Sequence, residues 1–207
     1  SRVVAAAYGD GNDALTSQQE EWLTQGSLEE DEPAVRVLNH FYDPQSGRPL
    51  TVAGVKLGLP SPEWLTASIR QSLVAGRGDC SWPRALYEYH RGNEALAYIC
   101  LGHALHLLED VSVPAHVRND DHLEGDSYES WLKYTNPETA PALAIEPDCA
   151  DASGCIRQLA AWTNEHFLSE DTMNATPYAE PFASAEIRGA YLEHAGRKLA
   201  AYNPKNQ

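Results

Sequence analysis

His106 and Asp110 stand four residues apart in the run LGHALHLLEDVSVPAHVRNDDH, which covers residues 101–122. On a helix, that spacing sends both side chains off one face, one turn apart. Val113-Pro114 follows, and the residue before a proline is pushed out of the α region, so the helix should stop there and turn His116 back towards the same pocket. A second stretch, Asn39-His40-Phe41-Tyr42-Asp43-Pro44, offers another imidazole. Neutral imidazole and carboxylate oxygen are zinc ligands at about 2.0 to 2.2 Å. A mixed cluster can hold two ions about 3.5 to 4 Å apart, the separation suited to polarising a phosphoryl group and activating a water. A His-x3-Asp pair by itself is a weak signal, since a histidine on an amphipathic helix is more often simply hydrogen-bonded. A further histidine two residues beyond a proline sharpens it.

At these residues the chain resembles the bacterial zinc-dependent phospholipase C family, itself related to single-strand nucleases. LGHALHLLEDVSVPAH is similar to the family's central metal motif and NHFYDP to its second signature, in the same order. Gly26 to Asp31 (GSLEED) resembles the segment with a metal-binding aspartate, and Tyr128-Glu129-Ser130-Trp131 the segment with the last zinc-binding glutamate. The likeness is good over roughly residues 20 to 135. It implies one zinc on Asp31, His40, His106 and Asp110, with Asp110 bridging to a further ion held by His116 and Glu129. The family's additional histidine falls on Gly125, so His122 or Asp126 must stand in, and His122 is favoured because a loop-end imidazole can swing into the site. His103, one turn before His106, matches non-ligating positions of relatives and is read as a capped or surface residue.

Relatives hold a third zinc through an amino-terminal Trp and a His in the first helix. The opening SRVVAAAYGDGND has no Trp before Trp22 and no His before His40. That helix is therefore read as missing from 1–207, and two or three Zn²⁺ ions are expected. The implied reaction is phosphodiester hydrolysis by a metal-activated water, with Asp31 or Glu129 taking its proton and Arg118 a candidate for stabilising the leaving group. Val37 and Glu32 replace the aromatic residues with which phosphatidylcholine-preferring relatives recognise choline, so the head group is left open. The alternatives are a zinc-stabilised scaffold without turnover and a nuclease-like phosphodiesterase. Against the latter, the Gly-Gly-Asn segment of the nucleases is missing after the last histidine.

The elements that must position these groups read as all-α, a single-domain, multi-helix bundle like phospholipase C and P1-type nuclease. A short polar helix is predicted from Thr16 to Thr24, capped by Thr16 or Ser17 and stopped by Gly26. Residues 43–62 form a Pro- and Gly-rich loop with room for a short hairpin. Helix resumes at Ser61 or Pro62 with Trp64, Leu65, Ile69 and Leu73 at core spacing, until Arg77-Gly78-Asp79 breaks it. A helix from Trp82 to Gly92 leads through Asn93, a candidate cap, into the motif helix Glu94 to Asp110. That helix is apolar almost all round and so is expected at the centre. Two more helices are predicted, Ile156 to Leu168 and Ala183 to Tyr202.

Composition bounds the partners. The chain of 207 residues is large enough for one continuous core, and its formal charge of −15 disfavours nucleic acid or an anionic membrane. A zwitterionic phospholipid or a small phosphodiester suits it better, and a monomer is expected. No apolar run reaches the roughly 18 residues of a membrane span. Cys80, Cys100, Cys149 and Cys155 allow two disulfides, of which Cys149–Cys155 is a natural local bridge, consistent with a secreted or periplasmic protein of the resembled kind. The Asn174-Ala175-Thr176 sequon carries no information without a host.

Overall fold

A computed structural model describes residues 15–74, 78–123, 125–126, 129, 148–166, 190–194 and 197–202 of the protein. Among these residues it is mostly helical. Helix α1 spans Ser17–Glu30 and starts at a reciprocal cap: Thr16 Oγ1 accepts from Gln19 N–H, and the Gln19 side chain accepts from Thr16 N–H. It does not stop at Gly26. A Cβ there would lie 1.9 Å from the carbonyl oxygen of Ile99, and one on Gly102 would lie 2.2 Å from that of Leu23. The two glycines are a crossing point at which α1 touches the backbone of the motif helix, so contact with another helix, invisible to local propensity, decides the residue type.

Residues after α1 pass through a 3-10 turn at Val37–Asn39 and a small hairpin, β1 (Thr51–Val52) antiparallel to β2 (Val55–Lys56). Two short helices follow, α2 at Ser61–Trp64 and α3 at Ser68–Ser72. The expected single helix is broken at Ala67 (φ −84°, ψ 56°), which resets its phase. Trp64 and Leu65 are buried as expected, but Ile69 and Leu73 are 80% and 78% exposed. Gln71 turns inward instead, donating to Trp64 O and accepting from Cys80 N–H.

Helix α4 (Trp82–His90) is capped by Ser81 and packs on α5 (Glu94–Asp110), the motif helix with the boundaries anticipated. Asn93 occupies the cap position of α5 but does not cap it; its amide donates to Glu88 Oε2 at 2.9 Å. Helix α5 lies between α1, α4 and α6 (Ala152–His166), and its Ala104 and Leu107 join Tyr42, Trp64, Leu65, Val111, Val117, Ile156 and Ala160 in the main apolar core. Cys149 and Cys155 form the local disulfide, while Cys80 and Cys100 are buried thiols.

The end of the described chain departs from the helix expected over 183–202. Residues Ala190–His194 (β3) and Arg197–Tyr202 (β4) pair antiparallel. Helix-forming Ala, Leu, Lys and Glu suggested the helix, and the pairing of the two short runs outweighs those local preferences. The opening 1–14, Trp131 and the sequon at Asn174 lie outside the described residues, as does Leu168. No described helix is long and apolar enough to cross a membrane.

Candidate metal centre

Three elements converge on the end of α5. Helix α1 delivers Glu30 and, at its C-cap, Asp31; the 3-10 turn after it delivers His40; α5 itself supplies His103, His106 and Asp110. The helix ends at Asp110 with Val111 as its C-cap, just before Val113-Pro114, and the 3-10 turn Ala115–Val117 carries His116 back. Asp31, His40 and His106 form one group whose ligand atoms lie within 4.8 Å of one another, and His116, His122 and Glu129 form a second.

Asp110 stands between the two groups. Its Oδ2 is 2.9 Å from His40 Nδ1, 3.3 Å from His106 Nε2 and 3.8 Å from His116 Nδ1. Asp31 Oδ1 is 3.4 Å from His106 Nε2 and 3.7 Å from His40 Nδ1. In the second group, Glu129 Oε1 is 3.4 Å from His116 Nε2 and 3.5 Å from His122 Nε2. Ligands about 2.0 to 2.2 Å from one ion at tetrahedral angles are about 3.3 to 3.6 Å apart, a range that holds the His106 contacts with Asp110 and Asp31 and both Glu129 contacts, while His40 and Asp110 at 2.9 Å are at direct hydrogen-bond distance. The buried atoms Asp110 Oδ2 and His116 Nδ1 have no hydrogen bond among the described residues, although acceptable partners crowd round them. Lone pairs aimed at a common point rather than at each other's protons are what a cation needs, and the residues present fit one.

The second signature works residue by residue. Asn39 donates to the carbonyls of Val35 and Arg36 and accepts from Leu59 N–H at 2.8 Å, fixing the turn that aims His40. Phe41 stacks on His116, ring centroids 4.7 Å apart and planes 7° from parallel, and also meets the tilted ring of His122. Tyr42 N–H donates to His116 O at 2.9 Å, and its hydroxyl accepts from Arg157. Asp43 accepts from Gln45 N–H and Ser46 Oγ, closing the turn at Pro44.

His122 is held in a left-handed conformation (φ 35°), a strained state for a residue with a Cβ. Its Nδ1 is 3.0 Å from Asp120 O, a carbonyl that can only accept, so Nδ1 carries the proton and Nε2 is left as the ligand atom facing Glu129. Asp126, the other candidate, is buried and accepts from Glu129 N–H at 2.9 Å. It positions Glu129 and is not part of either group. Arg118, expected as a candidate for stabilising the leaving group, is buried and donates to Asn164 O on α6.

His103 is neither on the surface nor a cap. It is buried and joined to Glu30, a residue the spacing of motifs gave no reason to single out. Fully buried Glu30 accepts from Arg36 Nη2 at 2.5 Å, from Trp64 Nε1 at 2.7 Å and from His103, and its Oε1 lies 3.5 Å from His40 Nε2. Glu30 thus faces Nε2 of His40, while Nδ1 faces Asp31 and Asp110. A GSLEED segment with two adjacent acidic residues before the aspartate was the available hint.

The electrostatics follow from burial against pairing. Burial would raise the Glu30 carboxyl, but the bonds from His103 and His40 and the charge of Arg36 outweigh it and hold it well below the ordinary range. Asp110 is lowered in the same way: burial opposes, and His116, His106 and His40 prevail. His40 is raised to about 9 and His106 to about 11, since their carboxylate partners overcome the burial that would lower them. Glu129 is lowered, chiefly by His116. The floor of the centre, His40 and His116, is buried, whereas Asp31 and Glu129 at its rim are 56% and 41% exposed. No protein-family model matches the chain and no curated protein matches it either, so the centre is read from its own residues.

Proposed function

We propose that this chain is a zinc-dependent phosphodiesterase of the phospholipase C kind, an all-α hydrolase acting on a phospholipid or a small phosphodiester. The observation that carries the reading is the meeting of two imidazole–carboxylate groups across the single carboxylate of Asp110. Asp31, His40, His106 and Asp110 would hold one zinc, and His116, His122, Glu129 and Asp110 a second. Two such cations supply a draw on the non-bridging phosphoryl oxygens and a water made acidic near neutral pH.

The chain's own groups do the rest. Asp31 or Glu129, at the solvent-facing rim, accepts the proton of the attacking water. Water oxygen bonds to phosphorus, the bond from phosphorus to the alcohol oxygen breaks, and the departing alcohol takes a proton from solvent at the open rim. Asp110 and Glu30 stay ionised and keep the histidines in register. The charge of −15 favours a zwitterionic or small substrate over a polyanion.

Elemental analysis of the purified chain, with hydrolysis of a chromogenic phosphocholine ester before and after chelation, tests this. About two zinc ions per chain and turnover that chelation abolishes and zinc restores are expected. Bound zinc without turnover on any diester would make the protein a metal-stabilised scaffold. A chain that takes up no zinc ends the proposal.

A further inference from the structure

Behind the centre, on the far side of His103, lie the two thiols the centre does not use. Cys80 and Cys100 share one small apolar cluster with Ala85, and Cys100 Sγ lies 4.0 Å from the carbonyl of Asp79, the residue before Cys80. Cys100 has no exposed surface and Cys80 keeps a thin edge of 6%. His103 is one turn beyond Cys100 on α5. Its Nδ1 is taken by Glu30, which is anchored by Arg36 and Trp64, and its Nε2 is buried and makes no hydrogen bond among the described residues.

We propose that Cys80 and Cys100 form an oxidation site, in which Cys80 reacts first and Cys100 closes a second disulfide of the chain. The placement is that of a thiol with a thin exposed edge packed against a wholly buried resolving partner. The electrostatics agree in direction: the adjoining Cys100 thiol lowers Cys80 against its burial, and Cys100 is raised. The oxidant is a small disulfide. The Cys80 thiolate attacks one of its sulfurs, forming a mixed disulfide and expelling one thiolate, which takes up a proton. The Cys100 sulfur then attacks Cys80 Sγ, loses its own proton and expels the second thiol. Two protein thiols and one disulfide give one protein disulfide and two small thiols. None of this depends on metal or on turnover.

The test exposes the full-length chain to glutathione disulfide, at a ratio to glutathione that keeps Cys149–Cys155 oxidised. Acid quenching, alkylation in denaturant without reduction, and peptide mapping follow. A linked peptide pair joining Cys80 to Cys100 is expected. In Cys100→Ser, Cys80 is expected to stop at the glutathione mixed disulfide; in Cys80→Ser, Cys100 is expected to remain fully alkylatable. Alkylation of both thiols in the unmodified chain while Cys149–Cys155 stays linked, or a link from Cys80 to another cysteine, overturns the proposal. Equal glutathione uptake by the two serine variants would remove the assigned order of attack.

Discussion

Asp110 and Glu30 are both carboxylates held ionised by imidazoles, yet they act at different distances from the centre. Asp110 faces three histidines with one oxygen, so Asp110→Asn should lower zinc content at both groups together and reduce hydrolysis by at least about 100-fold, measured as kcat/KM at saturating zinc. Of the residues of the centre, Glu30 faces only the far nitrogen of His40, at 3.5 Å. Glu30→Gln should weaken zinc binding by about 10- to 100-fold, as loss of a partner that orients a ligand does, while excess zinc restores most activity. Competition with a chelator of known affinity separates the two outcomes. Spacing alone made Asp110 legible, because a helix repeats and a proline stops it. Glu30 was not legible, because its partners Arg36, Trp64 and His103 meet only in three dimensions.

At the scale of elements, the distance between the two halves of the first ligand group is set by the contact of α1 with α5 at Gly26 and Gly102. A methyl at either position drives into backbone, which cannot turn aside as a side chain can. Gly26→Ala and Gly102→Ala should each destabilise the protein by about 1 to 3 kcal/mol or more, read by denaturant unfolding, and weaken zinc binding even though neither residue is a ligand. The same contact explains why Gly26 misleads as a helix stop: local grammar reads glycine as an ending, and a crossing needs glycine for a different reason. The motif helix and its exit were legible since hydrophobicity all round α5 and the Val113-Pro114 stop are local signals. The phase of α3 and the β3–β4 pairing were not, because one backbone angle at Ala67 and one pairing choice decide them.

For the molecule as a whole, the proposed zinc would compete with protons for the same sites, and the stability should show it. Without zinc, Glu30 and Asp110, lowered from 4.5 and 3.8, stabilise the fold above those values and lose that contribution as pH falls through their folded values. His40 and His106, raised from 6.5 to about 9 and about 11, stabilise fully below 6.5 and lose it as pH rises through the raised values. The chelated protein should therefore be most stable between about pH 4.5 and 6.5. Zinc needs the neutral rings, so its added stabilisation should grow with pH. Thermal unfolding from pH 4 to 10 checks this: the Tm gap between zinc-loaded and chelated protein should widen above pH 6.5, and a gap that narrows would contradict the assignment of His40 and His106.

The place of Asp110 also limits how the protein can be simplified. A member shared by two neighbourhoods cannot be edited for one of them alone. On the proposed reading, a variant reduced to one ion would give up Asp31 or His122, which belong to one group each, and would keep the shared carboxylate.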